Sequence, residues 1–131
     1  MADRYAIIAS RFNSEITDKL VAGALGAFGE HGVPIDTITV VRVPGAFEIP
    51  ITAKRLASSG KYAAIVCLGA VINGDTDHYE YVCRAAADGI LQAGMETGVP
   101  VMFGVLVLHG VPLATAGLKQ APVVESQVPA L

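Results

Sequence analysis

The stretch GAVINGDTDHYEYV, residues 69–82, carries the densest set of residues that could do chemistry. An apolar run ends at Ile72, a short turn follows from Asn73 to Asp77, and His78 opens a helical pattern. Gly74 lets the backbone approach a ligand closely, and the next amides would stand at a helix N-terminus, where the dipole favours an anion. The Thr76 hydroxyl adds a donor. Asp75 and Asp77 oppose an anion there, and the segment matches neither a P-loop nor a GxGxxG fingerprint. Asp77 and Glu80 stand at capping-box spacing, so a plain helix start is the competing reading. His78 can act as a general acid or base near neutrality, or it is a first-turn surface histidine. Glu48, after Pro44-Gly45, can accept hydrogen bonds from sugar-like hydroxyls or simply favour a helix start. Phe12, directly after an apolar run, can stack on a ring or pack in a core.

The elements that must position these residues alternate along the chain. Residues 5–9 form an apolar run without polar alternation, as expected of a strand covered on both faces. Residues 14–31 switch to helical period, with Ile16, Leu20, Ala24 and Phe28 on one stripe, Ser14 as cap and Gly32 as the left-handed stop. His31 at that helix end reads as a surface contact to the dipole rather than a ligand. Thr37–Val41 is a second strand, β-branched throughout. A turn at Val43-Pro44-Gly45 leads to a second helix with Ile49, Ala53 and Leu56 inward, Pro50 in its first turn and Ser59-Gly60 at its close. Residues 63–72 make a third strand, 78–97 a third helix with Val82, Ala86, Ile90 and Ala93 inward, and 99–108 a fourth strand. Right-handed crossovers turn this order into a parallel sheet with helices on both faces, a three-layer αβα sandwich of the flavodoxin-like kind. Ligands bind such sheets beyond the carboxyl ends of the strands, where residues 10–13, 44–48 and 73–78 converge. After residue 108 the pattern breaks, and only 112–120 could form a helical turn or two.

Bulk properties narrow the classes. A chain of 131 residues suits one domain, with 112–131 as its irregular tail. Hydrophobic residues make up 53% and charged ones 16%, an apolar surplus that points to a subunit interface. No apolar stretch reaches the roughly 18 residues of a membrane span, and the start lacks a signal-peptide pattern, so a cytoplasmic oligomer is expected. A formal charge of −3 without tryptophan argues against nucleic-acid binding. Cys67 and Cys83 have no metal-ligand spacing and read as two buried reduced thiols.

The segments SRFNSEITDKLVAGAL, VRVPGAFEIPITAKRLA, GKYAAIVCLGAVINGDTDHYEYV and TGVPVMFGVL resemble, in order and spacing, the core of the 6,7-dimethyl-8-ribityllumazine synthase family over residues 4–107. The resemblance implies a transferase of riboflavin biosynthesis. It would condense 5-amino-6-(D-ribitylamino)uracil with 3,4-dihydroxy-2-butanone 4-phosphate, losing phosphate and water, without metal or organic cofactor. It also implies that Phe12 stacks on the pyrimidine and that Ala46, Phe47 and Glu48 hold that substrate, Glu48 at the ribityl hydroxyls. Ala70, Val71 and Ile72 would line the ring pocket, Asp75 and Thr76 would offer amides to the phosphate, and His78 would shuttle protons. Phe103 would come from a neighbouring subunit, because family sites lie between protomers of a pentamer, which in some assemblies closes into larger shells.

The chain departs from the family pattern in two places. Asn73 stands where a basic residue is usual, and GVL is followed by Val107-Leu108-His109-Gly110-Val111-Pro112. Aligning Ala116–Lys119 with the family's Ala-Gly-x-Lys puts Thr115 where an arginine grips the phosphate, and the Gly-Asn-Lys-Gly segment and long last helix have no counterpart. A hydroxyl does not replace a bidentate guanidinium on phosphate. These departures point to a second reading, a lumazine- or flavin-binding assembly scaffold derived from the family.

Overall fold

Small and β-branched residues in unbroken apolar runs make strands that must be covered on both faces, and four such strands lie side by side. In this computed structural model the structure describes residues 3–73 and 78–109, without the side chains of Asn73, His78, Leu108 and His109. The strands are β1 (Tyr5–Ser10), β2 (Ile38–Val43), β3 (Ala64–Asn73) and β4 (Val101–His109). The helices are α1 (Ser14–Glu30), α2 (Ile49–Ser58) and α3 (His78–Thr97). All strand pairs are parallel, in the order β2-β1-β3-β4.

This order sets the faces. The connection from β1 leads to one side of the sheet and that from β3 to the other, while the crossover through α2 passes over β1. Right-handed crossovers then place α1 on one face and α2 with α3 on the other. The period of two along the strands divides the core accordingly. Ile7, Ala9, Val66 and Leu68 pack with Leu20, Val21, Ala24 and Phe28 of α1. Ala6, Ile8, Ile65 and Cys67 pack with Ile49 and Ala53 of α2 and Ala86, Ile90 and Ala93 of α3. The result is the expected α/β three-layer fold, and among the described residues no helix is long and apolar enough to cross a membrane.

Local chemistry differs from expectation at several points. Ser14 is the first helical residue rather than the cap. Asn13 takes the cap position in the left-handed region (φ 60°, ψ 54°), with no side-chain capping bond. Gly32 does supply the left-handed stop (φ 77°), and the His31 ring nitrogen Nδ1 lies 2.8 Å from the Ala27 carbonyl. Thr37 belongs to a 3-10 turn, Ile35–Thr37, because its hydroxyl donates to the Pro34 carbonyl (2.6 Å) and holds the chain curled before β2 begins at Ile38. A second 3-10 turn, Ala46–Glu48, precedes α2. The third strand starts at Ala64 and the fourth at Val101, each later than its apolar run. Cys67 is buried as expected, whereas Cys83 is only partly so. Residues 110–131, including Thr115 and the segment 112–120, lie outside the described residues.

Candidate functional site

The sheet changes direction of winding between β1 and β3, and the crevice beyond their carboxyl ends is the natural ligand position for this topology. Two tethers shape that rim. The Arg11 amide donates to the Val43 carbonyl (2.7 Å) and the Phe12 amide to the Pro44 carbonyl (3.1 Å), fixing the end of β1 to the turn after β2. The 3-10 turn is closed by the Glu48 amide donating to the Gly45 carbonyl (3.2 Å), and it joins α2 through the Thr52 hydroxyl donating to the Glu48 carbonyl (3.1 Å).

A cavity of about 290 Å³ opens there, lined by Phe12, Ala46, Phe47, Ala70, Val71 and Ile72 together with Gly45, Tyr79 and Val82. The first six come from three segments far apart in sequence, and the structure brings them together. Its walls are largely hydrocarbon and aromatic, and among the described residues no charged side chain lines it. Phe12 and Phe47 are 56% and 62% exposed, too open to be core residues and free to meet a planar ring. Beside it, Phe12 and Ile72 also border a second hollow of about 440 Å³ with Arg11, Asn13, Ser14, Glu15 and Ile16.

The remaining predicted residues divide. Glu48 sits in the same turn, half-buried, and its carboxylate folds back over Gly45: a Cβ built there would lie 3.4 Å from Glu48 Oε1. It borders the site without lining the cavity. Phe103 stands on β4 opposite Cys67, 49% exposed, and lines neither rim hollow. Asp75 and Thr76 lie outside the described residues, as does the side chain of His78, although the backbone of His78 begins α3 at this rim.

Tyr79 and Val82 were absent from the expected site. Their spacing of three on the first turns of α3 puts both on the face that meets the Ala46–Glu48 turn, a signal that was available in the helical period. Neither cysteine is poised as a nucleophile. Burial pushes the Cys67 thiol up to about 12, and burial also raises Cys83. A third hollow, of about 440 Å³, is lined by Tyr5, Ala27, Phe28, His31, Val33, Ala64, Pro100 and Met102. It lies at the amino ends of the strands, the wrong end for a ligand in a doubly wound sheet.

The sequence profile of the family described as 6,7-dimethyl-8-ribityllumazine synthase matches residues 2–120. A protein from Salinibacter ruber named 6,7-dimethyl-8-ribityllumazine synthase is 45% identical over 118 residues, covering 88% of this chain and 76% of that protein.

Proposed function

The chain belongs to the 6,7-dimethyl-8-ribityllumazine synthase family, and from that premise we propose how this transferase of riboflavin biosynthesis carries out its reaction. Its substrates are 5-amino-6-(D-ribitylamino)uracil and 3,4-dihydroxy-2-butanone 4-phosphate. The observation that carries the reading is the rim cavity, whose lining unites Phe12, Ala46, Phe47, Ala70, Val71 and Ile72 at the switch point of the sheet.

The pyrimidinedione stacks on Phe12, between Ala46-Phe47 and Ala70–Ile72, with its ribityl chain directed to the Glu48 carboxylate. The turn containing Asp75 and Thr76 receives the phosphate. Its amides precede α3, where the helix dipole favours an anion. The amine of the pyrimidine attacks the ketone carbonyl of the second substrate, water leaves as the imine forms, and the phosphate departs with its bonding electrons. Ring closure then expels a second water. His78 takes and returns the protons of these steps as general base and acid. Holding two substrates in one apolar crevice supplies the positioning part of the acceleration. Phe103 reaches the cavity of a neighbouring protomer in a homopentamer or an assembly of pentamers, and the assembly is cytoplasmic. The half-exposed position of Phe103 away from its own rim supports this.

Formation of lumazine from the two substrates, followed by absorbance, tests the reading. Turnover that falls about 10²-fold or more in His78→Ala is expected from loss of proton transfer. No turnover, with lumazine or riboflavin still bound, would instead identify the chain as a flavin- or lumazine-binding scaffold.

A further inference from the structure

The sheet is uneven at its carboxyl end. β1 pairs with β3 only as far as Ala9 opposite Leu68, and with β2 as far as Ser10 opposite Val43. The chain then leaves the sheet, with Arg11 and Phe12 tied to the turn after β2. β3 and β4 run on together: Ala70 pairs with Leu106, Val71 with Val107, Ile72 with Leu108 and Asn73 with His109. The outermost step of the sheet is therefore a two-stranded ledge. Asn73 ends β3 and is followed by the segment 74–77 that leads to His78 and α3. His109 is thus the strand residue in register beside the entry to that segment. Neighbouring strands stand about 4.8 Å apart, which sets the backbones of Asn73 and His109 side by side.

The charge carried to this ledge is unfavourable to phosphate. The segment between Asn73 and His78 holds Asp75 and Asp77, Asn73 is neutral, and Glu80 follows in the first turn of α3. A helix N-terminus offsets only part of this, because its dipole amounts to about half a unit of positive charge against about −1.5 to −2 on a phosphate ester. Arg11 stands lower, where β1 leaves the sheet toward β2, and shares its hollow with Glu15. Glu48 lies in the 3-10 turn after β2. The basic residue that the register brings to the ledge itself is His109. Histidine carries a positive charge in the range just below neutrality and presents an N–H donor from each ring nitrogen when it does.

Resting on the reading above, we infer that His109 holds the phosphate of the second substrate, supplying as imidazolium the positive charge that the turn lacks. A charge-assisted hydrogen bond to a phosphate oxygen is about twice as strong as a neutral one. The phosphate leaves with the electrons of its bond to carbon, so negative charge grows on it during departure, and the same cation favours that step. The two histidines of this rim then divide the work: His109 binds the leaving group, and His78 moves protons.

His109→Ala, His109→Gln and His109→Lys test the assignment, with each substrate varied in turn at about pH 6, where imidazole is largely charged. The alanine and glutamine variants raise the KM for the butanone phosphate about tenfold and leave the KM for the pyrimidine where it was. Inorganic phosphate, titrated by calorimetry without turnover, binds them about tenfold more weakly than it binds the parent. His109→Lys keeps the parent values because it keeps the charge. Raising the pH through about 6.5 weakens phosphate binding to the parent relative to His109→Lys. Asp75, Asp77, His78, Glu80, Arg11, Glu15 and Glu48 are common to both proteins, as is the titration of the phosphate itself, so the difference belongs to position 109. Lumazine dissociation, followed by fluorescence, is the same in all four proteins. Parent-like phosphate binding by His109→Ala, equal rises in both KM values, lumazine binding lost together with phosphate binding, or a lysine variant as weak as the alanine one would each overturn the inference and leave the family reading standing. A parent protein that neither binds nor makes lumazine would overturn the family reading and this one with it.

Discussion

At the scale of single residues, the site mixes groups whose roles are set by what surrounds them. The most consequential change is expected at position 115, where the resemblance would put Thr115 in place of a phosphate-gripping arginine. A lost charge-assisted contact of that kind costs about 1.5–3 kcal/mol. Thr115→Arg is therefore expected to lower the KM for the butanone phosphate about tenfold or more, with the pyrimidine KM unmoved, in steady-state assays with each substrate varied. An unchanged phosphate KM would mean that another cation already fills this role. Cys67 has a consequence for stability. Burial raises its thiol from 9.0 to about 12, so the folded chain holds a proton that the unfolded chain releases. The sign follows: the stabilising contribution is complete below pH 9 and is lost as pH rises toward about 12, by at most about 1.4 kcal/mol per pH unit. Urea midpoints compared between the parent and Cys67→Ala across this window should show a shallower alkaline fall in the variant, and equal slopes would refute the assignment. Below that window the variant is the less stable of the two, because the small side chain leaves a cavity.

Elements are held by close approaches that residue type alone controls. Gly89 of α3 faces Pro50 of α2 so tightly that an added Cβ would lie 2.5 Å from the proline Cβ. Gly26 of α1 has nothing within 4 Å of the same atom. One substitution should thus have opposite signs at the two sites. Gly89→Ala destabilises by about 1–3 kcal/mol through overpacking between the helices. Gly26→Ala stabilises by about 0.5–1 kcal/mol through helix propensity. Denaturant unfolding of both variants checks the pair, and a stabilised Gly89→Ala would mean that α2 and α3 can part without penalty.

The same contrast explains what was legible from sequence. Periods of two and 3.6 reveal the faces, so Ile7, Leu20, Ile49, Ala86 and Ile90 were placed correctly in the core. The strands start later than the apolar runs, at Ala64 and Val101, because Ala63 and Val99 extend those runs beyond the paired residues of the sheet. Asn13 escaped as a cap because its left-handed turn depends on tethers from Arg11 and Phe12 to the next strand's turn, contacts distant in sequence. Of the site, Phe12, Ala46, Phe47 and Ala70–Ile72 were found through the family motifs and do share one cavity. Tyr79 and Val82 were missed because they reach it only once α3 packs on the Ala46–Glu48 turn.

At the scale of the whole molecule, the apolar surplus of the composition has a location. Leu91 and Met95, one helical turn apart near the end of α3, are 66% and 77% exposed, and Tyr81 at its start is 72% exposed. Phe103 and Ile51 add to this outward apolar surface. Large exposed apolar groups on one helix face are costly in a free protomer and are normally covered by a partner, with about 800 Å² buried on each side of a stable contact. Sedimentation should therefore give a mass above that of the 13.5 kDa chain, and on the proposed pentamer one near five times it or a multiple of that. The double substitution Leu91→Asp with Met95→Asp should drive the mass toward the single chain, while circular dichroism keeps its helical signal because neither residue is in the core. On the proposed reading, assembly and chemistry are coupled through Phe103, which among the described residues lines neither rim hollow. If a neighbour's Phe103 completes each site, the dissociated double variant loses turnover although Phe12, Glu48 and His78 are untouched. Dilution that restores no activity, and parent protein at high concentration that keeps it, would agree with that coupling. Fully active single chains would show instead that the rim cavity is complete within one protomer and that the exposed face of α3 serves assembly alone.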